Sequence, residues 1–266
     1  MWNLIKASAI GTSHRSRGQP CQDSCEGRIV ENSTGPILVA AVADGAGSAA
    51  QSEVGAELAC KAFVDRVGQT ISSVDFDLAT IDRATMLDWF ADARRQVGSD
   101  ADGRGVSIRE LACTLLAAIV GEGWAVFAQV GDGAIVRQID GDLSVVFWPE
   151  EAEYANMTYF LTEGDFADHF QFSRDDGPID ALAMFTDGLQ RLTLDFATKE
   201  AHSPFFNPIF EYTARLGDPA KRTAALVEFL GSPLVNDRTD DDKTLLLAAR
   251  RIPPQNEPHL PPAEFE

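Results

Sequence analysis

Short apolar runs bounded by glycine and aspartate dominate the pattern of hydrophobic and polar positions. Ile37 to Val42 reads Ile-Leu-Val-Ala-Ala-Val, and its lack of polar alternation predicts a strand buried on both faces. Leu111 to Val120 and Trp124 to Val130 are separated by Gly121-Glu122-Gly123, which predicts a hairpin. Ala134 to Ile139 and Leu143 to Trp148 flank Asp140-Gly141-Asp142, a second hairpin signal. Ala181 to Phe185 and Thr244 to Ala248 complete the set. Strands joined by such tight turns argue for antiparallel sheets.

Other stretches follow helical spacing. One helix is predicted to start at Ser48, with Gln51 three residues on as a capping box and Val54, Leu58, Ala62 and Val67 recurring behind it. A second runs from about Thr80 to Val97, with Met86, Leu87, Phe90 and Ala91 as its apolar side. Two more are predicted after Asn207 and after Pro219, where proline suits a first turn. Helices packed on antiparallel sheets make this an α+β chain. Pro253 to Pro262 is proline-rich and reads as an extended tail, so the folded unit is predicted over 1–251 and the tail over 252–266.

Charge narrows the functional classes. The net charge of −19, from 41 acidic and 22 basic side chains, repels nucleic-acid phosphates and anionic membrane surfaces. It is compatible with a metal ion or a basic polypeptide. Cys21, Cys25, Cys60 and Cys113 match no zinc-knuckle spacing and read as reduced thiols. No run reaches the ~18 apolar residues that span a bilayer, and Met1 to Lys6 lacks a secretory pattern, so the expected location is the cytoplasm and the expected form a monomer.

The candidate chemistry lies in the aspartates. Asp44 follows the buried run and opens Asp44-Gly45-Ala46-Gly47; Asp132 sits in Gly131-Asp132-Gly133; Asp187 opens Asp187-Gly188; Asp240, Asp241 and Asp242 precede the strand from Thr244. Each Asp-Gly alone is more often a turn than a ligand. Together they place carboxylates at rigid strand ends, where hard divalent cations such as Mg²⁺ and Mn²⁺ find oxygen ligands.

This ordered set resembles the PPM, or type-2C, family of metal-dependent serine/threonine protein phosphatases. Val42 to Gly47 is similar to its Asp-Gly-x-Gly motif, and Ala112 to Leu116 to its Gly-Thr-Thr strand. Gln129 to Gly133 is similar to Val-Gly-Asp-Ser, Phe185 to Leu189 to Thr-Asp-Gly-Leu, and Asp241 to Thr244 to Asp-Asn-x-Thr. The resemblance covers about Trp2 to Arg250, and Cys21-Gln22-Asp23 is similar to the first motif of one bacterial subgroup. It implies a four-layer sandwich, two stacked antiparallel β-sheets flanked by α-helices, with two Mn²⁺ or Mg²⁺ ions at one end. It implies that Asp44 bridges the ions, that the Gly45 carbonyl binds one, and that Asp187 and Asp241 hold the other. Asp132 matches the residue that holds a weaker third ion, and Asp23 and Gln22 support bound waters. The implied reaction is hydrolysis of phosphoserine and phosphothreonine in a phosphorylated protein substrate by a dimetal-activated water. A phosphopeptide-binding pseudophosphatase and another two-metal phosphoester hydrolase are the competing readings.

The chain departs from the pattern at several points. Ala46 stands where many members carry a histidine that protonates the leaving group; His14 is the nearest alternative, its competing reading a surface histidine in a loop. Gly18 stands where the family's phosphate-binding arginine usually lies. Arg17 is the candidate to replace it, against a solvated loop charge, and Arg15 is predicted to point the other way on an extended segment. Trp148 to Phe172 falls where the family carries a variable flap, and its aromatics Tyr154, Tyr159, Phe160, Phe166 and Phe170 read as core before flap or partner surface.

Overall fold

A computed structural model of the chain describes residues 1–73, 76–149 and 158–251. Its strands are β1 (Trp2–Ala9), β2 (Ser24–Asn32), β3 (Gly35–Ala43), β4 (Leu115–Val120), β5 (Trp124–Val130) and β6 (Ala134–Ile139). They continue with β7 (Asp142–Val145), β8 (Gln171–Asp176), β9 (Ala181–Phe185), β10 (Leu194–Asp195), β11 (Glu200–Ala201) and β12 (Lys243–Arg250). The helices are α1 (Thr12–Arg17), α2 (Ser52–Ile71), α3 (Arg83–Arg104), α4 (Gln190–Thr193), α5 (Ser203–Ala214), α6 (Pro219–Leu230) and α7 (Pro233–Asn236).

Two five-stranded sheets, ordered β1-β12-β9-β6-β7 and β2-β3-β4-β5-β8, are antiparallel throughout; β10 and β11 form a separate pair. The unbroken apolar runs are explained by burial on two sides. Along β3, Leu38, Ala40 and Val42 join a core between the sheets with Leu182, Met184 and Leu246. The alternate residues Val39, Ala41 and Ala43 pack with Phe63 and Val67 of α2 and Phe90 of α3. On the other outer face, Ala183, Phe185, Leu245 and Leu247 pack against Phe206 and Phe210 of α5 and Leu226 of α6. The layers are therefore helix, sheet, sheet, helix, as the motif resemblance implies.

Several boundaries differ from the sequence reading. The first long helix starts at Ser52, not Ser48: Gln51 makes no side-chain cap, and the chain before it is held by Ala50 N and Gln51 N donating to Glu110 Oε2 and O at 3.1 and 2.9 Å. The strand expected from Leu111 begins at Leu115, and Leu143 to Trp148 shortens to Asp142–Val145. α5 begins at Ser203 and carries Pro208 inside it, although the sequence put its start after Asn207. The buried faces of Phe205, Phe206, Ile209 and Phe210 outweigh the one hydrogen bond that proline removes. Residues 12–17 are helical rather than extended.

All four cysteines are free thiols, with Cys60 and Cys113 buried. No helix among the described residues is long and apolar enough to cross a membrane. The proposed tail 252–266 and Tyr154 lie outside the described residues. Phe166 and Phe170 are core, Phe170 packing edge-on to Phe90 at 5.0 Å, while Phe160 lines a cleft at the end of the sheets.

Candidate active site

Strand register gathers the candidate residues. Val42 pairs with Leu116, Leu115 with Val130, and Ser24 with Ala43, so one end of the second sheet carries the exit of β3 and β5 and the entry of β4 and β2. In the first sheet Phe185 pairs with both Leu245 and Ala134, which brings the exit of β9 to the entry of β12 and β6. The link through Asp132 joins β5 of one sheet to β6 of the other, so both sheets present these ends together. Asp44, Asp132, Asp187 and Asp241 thus line one cleft of about 400 Å³, with Gln22, His14 and Arg17 on its wall. Arg15 does not line it.

The backbone around Asp44 is fixed on both sides. Its N–H donates to Thr114 Oγ1 and its carbonyl accepts from Thr114 N, each at 2.8 Å, and Gly45 N donates to the Gln22 carbonyl at 3.1 Å. Thr244 N donates to Thr186 Oγ1 at 3.1 Å, and that hydroxyl donates to Asp23 Oδ2 at 2.6 Å, tying β12, β9 and the first motif in one chain of polar contacts. Gly188 lets two loops meet: a Cβ there would sit 2.0 Å from the Asp242 carbonyl oxygen, so any side chain would push Asp187 and Asp241 apart.

Asp242 is the residue that sequence reasoning undervalued. It is 3% exposed and accepts from Gly11 N and Gln22 N, both at 2.6 Å, and its Oδ2 lies 2.8 Å from His14 Nδ1. One buried carboxylate therefore fixes the turn before α1, the first motif and the imidazole. The only sequence signal was an aspartate where the resembling motif has asparagine. His14 is buried on α1, which excludes the surface-loop reading. Gly18 adopts φ 68° and closes α1, with Gly18 N and Gln19 N donating to the Arg15 and His14 carbonyls. A helix terminus of this kind needs glycine there, which accounts for the missing arginine.

The carboxylates repel one another. Burial first, and then the neighbouring aspartates, hold Asp44 and Asp23 well above the usual carboxylate range; the same causes push Asp187 to about 6. Asp132 Oδ2 accepts from Thr158 Oγ1 at 2.6 Å, and Gln190 Nε2 donates to the Asp132 carbonyl.

Two buried oxygens on the cleft have no hydrogen-bond donor: Asp187 Oδ1 and Gln22 Oε1. Buried oxygens normally find a partner, and cations are what an all-oxygen cluster of this charge lacks. Among the described residues no group of three His, Cys, Asp or Glu side chains is placed to hold a metal ion by itself. That suits ions such as Mg²⁺, which bind through one or two carboxylates and keep several waters. The residues present fit a divalent metal pair.

Residues 10–231 match the family model described as "Protein phosphatase 2C". The chain is 36% identical over 250 residues to serine/threonine-protein phosphatase 3 of Escherichia coli (strain K12), covering 93% of this chain and 98% of that one. In structure it is similar to the serine/threonine phosphatase Stp1 from Staphylococcus aureus, with a TM-score of 0.60 at 18% identity over 94% and 95% of the two chains. It is also similar to the catalytic domain of the serine/threonine protein phosphatase PstP in complex with two manganese ions, with a TM-score of 0.57 at 15% identity over 94% and 99%.

Proposed function

The chain belongs to the protein phosphatase 2C family, a group of serine/threonine protein phosphatases, and on that premise we propose that its cleft holds two divalent cations between Asp44, the Gly45 carbonyl, Asp187 and Asp241. The observation that carries this is the pair of donorless buried oxygens, Asp187 Oδ1 and Gln22 Oε1, beside carboxylates whose pKa values are raised by burial and mutual repulsion. Such a metal pair, when bound, lowers the pKa of a shared water and neutralises charge on the phosphoryl oxygens. Mn²⁺ or Mg²⁺ suits the oxygen donors, with Asp132 available to a third ion.

The chain's own residues do the rest. Asp23, anchored by Thr186, and Gln22, anchored through its N–H on Asp242, hold waters in place around the ions. Arg17, on the last turn of α1, orients the phosphoryl group. His14 is held through Nδ1 by Asp242, which leaves its other ring nitrogen to protonate the leaving oxygen in place of the histidine that Ala46 lacks.

Hydrolysis of p-nitrophenyl phosphate and of a phosphothreonine peptide with added Mn²⁺ or Mg²⁺ tests the reading. Activity should appear with metal and vanish with chelator. Turnover in excess chelator would refute the metal assignment, and metal binding without turnover would instead indicate a phosphopeptide-binding module.

Arg17→Ala is expected to raise KM for phosphate esters about five- to tenfold while leaving metal affinity unchanged. Arg15→Ala is the matched control. On a helix, residues two apart are rotated by about 200°, so the two side chains still face nearly opposite ways. Equal and negligible effects would remove both arginines from the site.

A further inference from the structure

A second pocket, of about 280 Å³, has Arg191, Leu194, Asp195, Phe196 and Arg238 on its wall. Both arginines are exposed, and neither side chain has a hydrogen-bond or ion-pair partner among the described residues. Arg28, Arg66, Arg95, Arg104, Arg174 and Arg215, by contrast, are each paired with a carboxylate. The acid within the pocket, Asp195, is already engaged: its Oδ1 accepts from Ala197 N and Thr198 N at 2.9 and 3.2 Å. Phe196 is 40% exposed and is braced edge-on by Trp148 at 5.5 Å, so an apolar platform adjoins the two cations.

The position of this pocket follows from the chain itself. Arg191 comes four residues after Asp187 along a short helical stretch, a Cα separation of about 6–8 Å. Arg238 comes three residues before Asp241, at most about 11 Å away. The segment bearing it is anchored where Lys243 Nζ donates to Asn236 Oδ1 at 2.8 Å. The two segments that deliver candidate metal ligands thus continue directly into the pocket. An extended peptide advances about 3.3 Å per residue, so a phosphoresidue held in the main cleft puts a residue two to four positions along the substrate against Arg191 and Arg238.

We propose that Arg191, Arg238 and Phe196 form a substrate-docking subsite for an oxyanion, either a carboxylate or a second phosphoryl group, carried two to four residues from the phosphoresidue being hydrolysed. The proposal rests on the phosphatase reading of the main cleft and names the substrate class for it: phosphopeptides with acidic or multiply phosphorylated flanks. Two exposed cations also offset the repulsion that such an anionic substrate meets from a protein of net charge −19.

Steady-state kinetics on four substrates tests it: p-nitrophenyl phosphate, a phosphothreonine peptide with neutral flanks, the same peptide with glutamate three residues away, and the same peptide with a second phosphothreonine there. The wild-type enzyme should favour the last two over the neutral peptide by about tenfold in kcat/KM, through KM, and high salt should erase the preference. The double variant R191A/R238A should lose that tenfold and hydrolyse p-nitrophenyl phosphate and the neutral peptide as the wild type does. Preference for the diphosphorylated peptide alone would identify the anion as phosphate; preference for both would identify a general oxyanion site. Absence of any flank preference in the wild type would overturn the subsite, as would an equal loss on all four substrates in the variant. Absence of p-nitrophenyl phosphate turnover by the wild type would overturn the phosphatase reading and the subsite with it.

Discussion

Asp44→Asn is expected to lower kcat by about three orders of magnitude or more and, in the same protein, to raise thermal stability in chelator. The two effects share a cause. Asp44 sits between the backbone clamps made by Thr114 and Gln22, and its half-buried carboxylate is raised in pKa by desolvation and by the charges of Asp23 and Asp187. Without a cation that placement is a cost, since burial and like charge both disfavour the ionised form. Asparagine has the same shape and removes the charge, so the metal-free fold gains. It would also hold divalent cations less well than a carboxylate, so turnover should be lost. A residue needed only for packing would behave the opposite way, losing stability and keeping activity. Gln22→Glu is the companion variant. It adds a charge beside the donorless Gln22 Oε1 position and should keep turnover while tightening metal binding. Normal turnover in Asp44→Asn, or loss of turnover in Gln22→Glu with Asp44→Asn tolerated, would show that the ligand set is assigned wrongly.

How far the sequence revealed the fold depended on where each strand lies. β3, β4, β5, β9 and β12 are central, buried on both faces, and their composition announces them. β1, β2 and β8 were not read at all. They are edge strands whose sequences mix polar and charged residues, such as Ser24-Cys25-Glu26-Gly27-Arg28 and Ser173-Arg174-Asp175-Asp176, and whose partner lies on one side only. β2 is the hairpin partner of β3 across Ser33-Thr34, whereas β1 and β8 are strands because they pair with β12 and β5, distant in sequence, which no local pattern encodes. For the same reason the helix over Thr12–Arg17 was read as extended: it is six residues long and held from outside, with Ser13 N donating to the Asp240 carbonyl at 2.9 Å. The carboxylates at Asp44, Asp132, Asp187 and Asp241 are legible because strand ends carry them, with glycine flagging the first three and a run of aspartates the last. The organising role of Asp242 was not, because it depends on three donors, from Gly11, His14 and Gln22, that are more than two hundred residues away along the chain.

The second large effect is a pH dependence of stability that metal should reverse. A carboxyl whose pKa is raised in the folded state stabilises the fold below its unfolded pKa and loses that contribution as pH rises through the folded value. For Asp187 the window runs from the ordinary value of 3.8 to about 6. Asp44 and Asp23 are also held well above 3.8, so they lose their contribution over the same rise in pH. Asp65, Asp82 and Glu26, whose pKa values are lowered, work in the other direction, but their contribution falls away only as pH drops through the ordinary carboxylate range and below. Metal-free protein should therefore melt higher at about pH 5.5 than at about pH 7.5, by roughly 5 °C, where each 1 kcal/mol moves Tm by about 2–4 °C in a chain of this size. Divalent cations bind the deprotonated carboxylates and compete with those protons. Saturating Mn²⁺ should raise Tm more at the higher pH and so erase or invert the order. General repulsion among the 41 acidic side chains also eases on acidification. High salt screens that surface part and leaves the buried cluster largely untouched. The Asp44→Asn variant supplies the second control, because it removes one of the coupled groups and should flatten the pH response in chelator. A Tm that falls on acidification in high salt, or a metal-induced rise that is the same at both pH values, would mean that these carboxylates do not form the cation site.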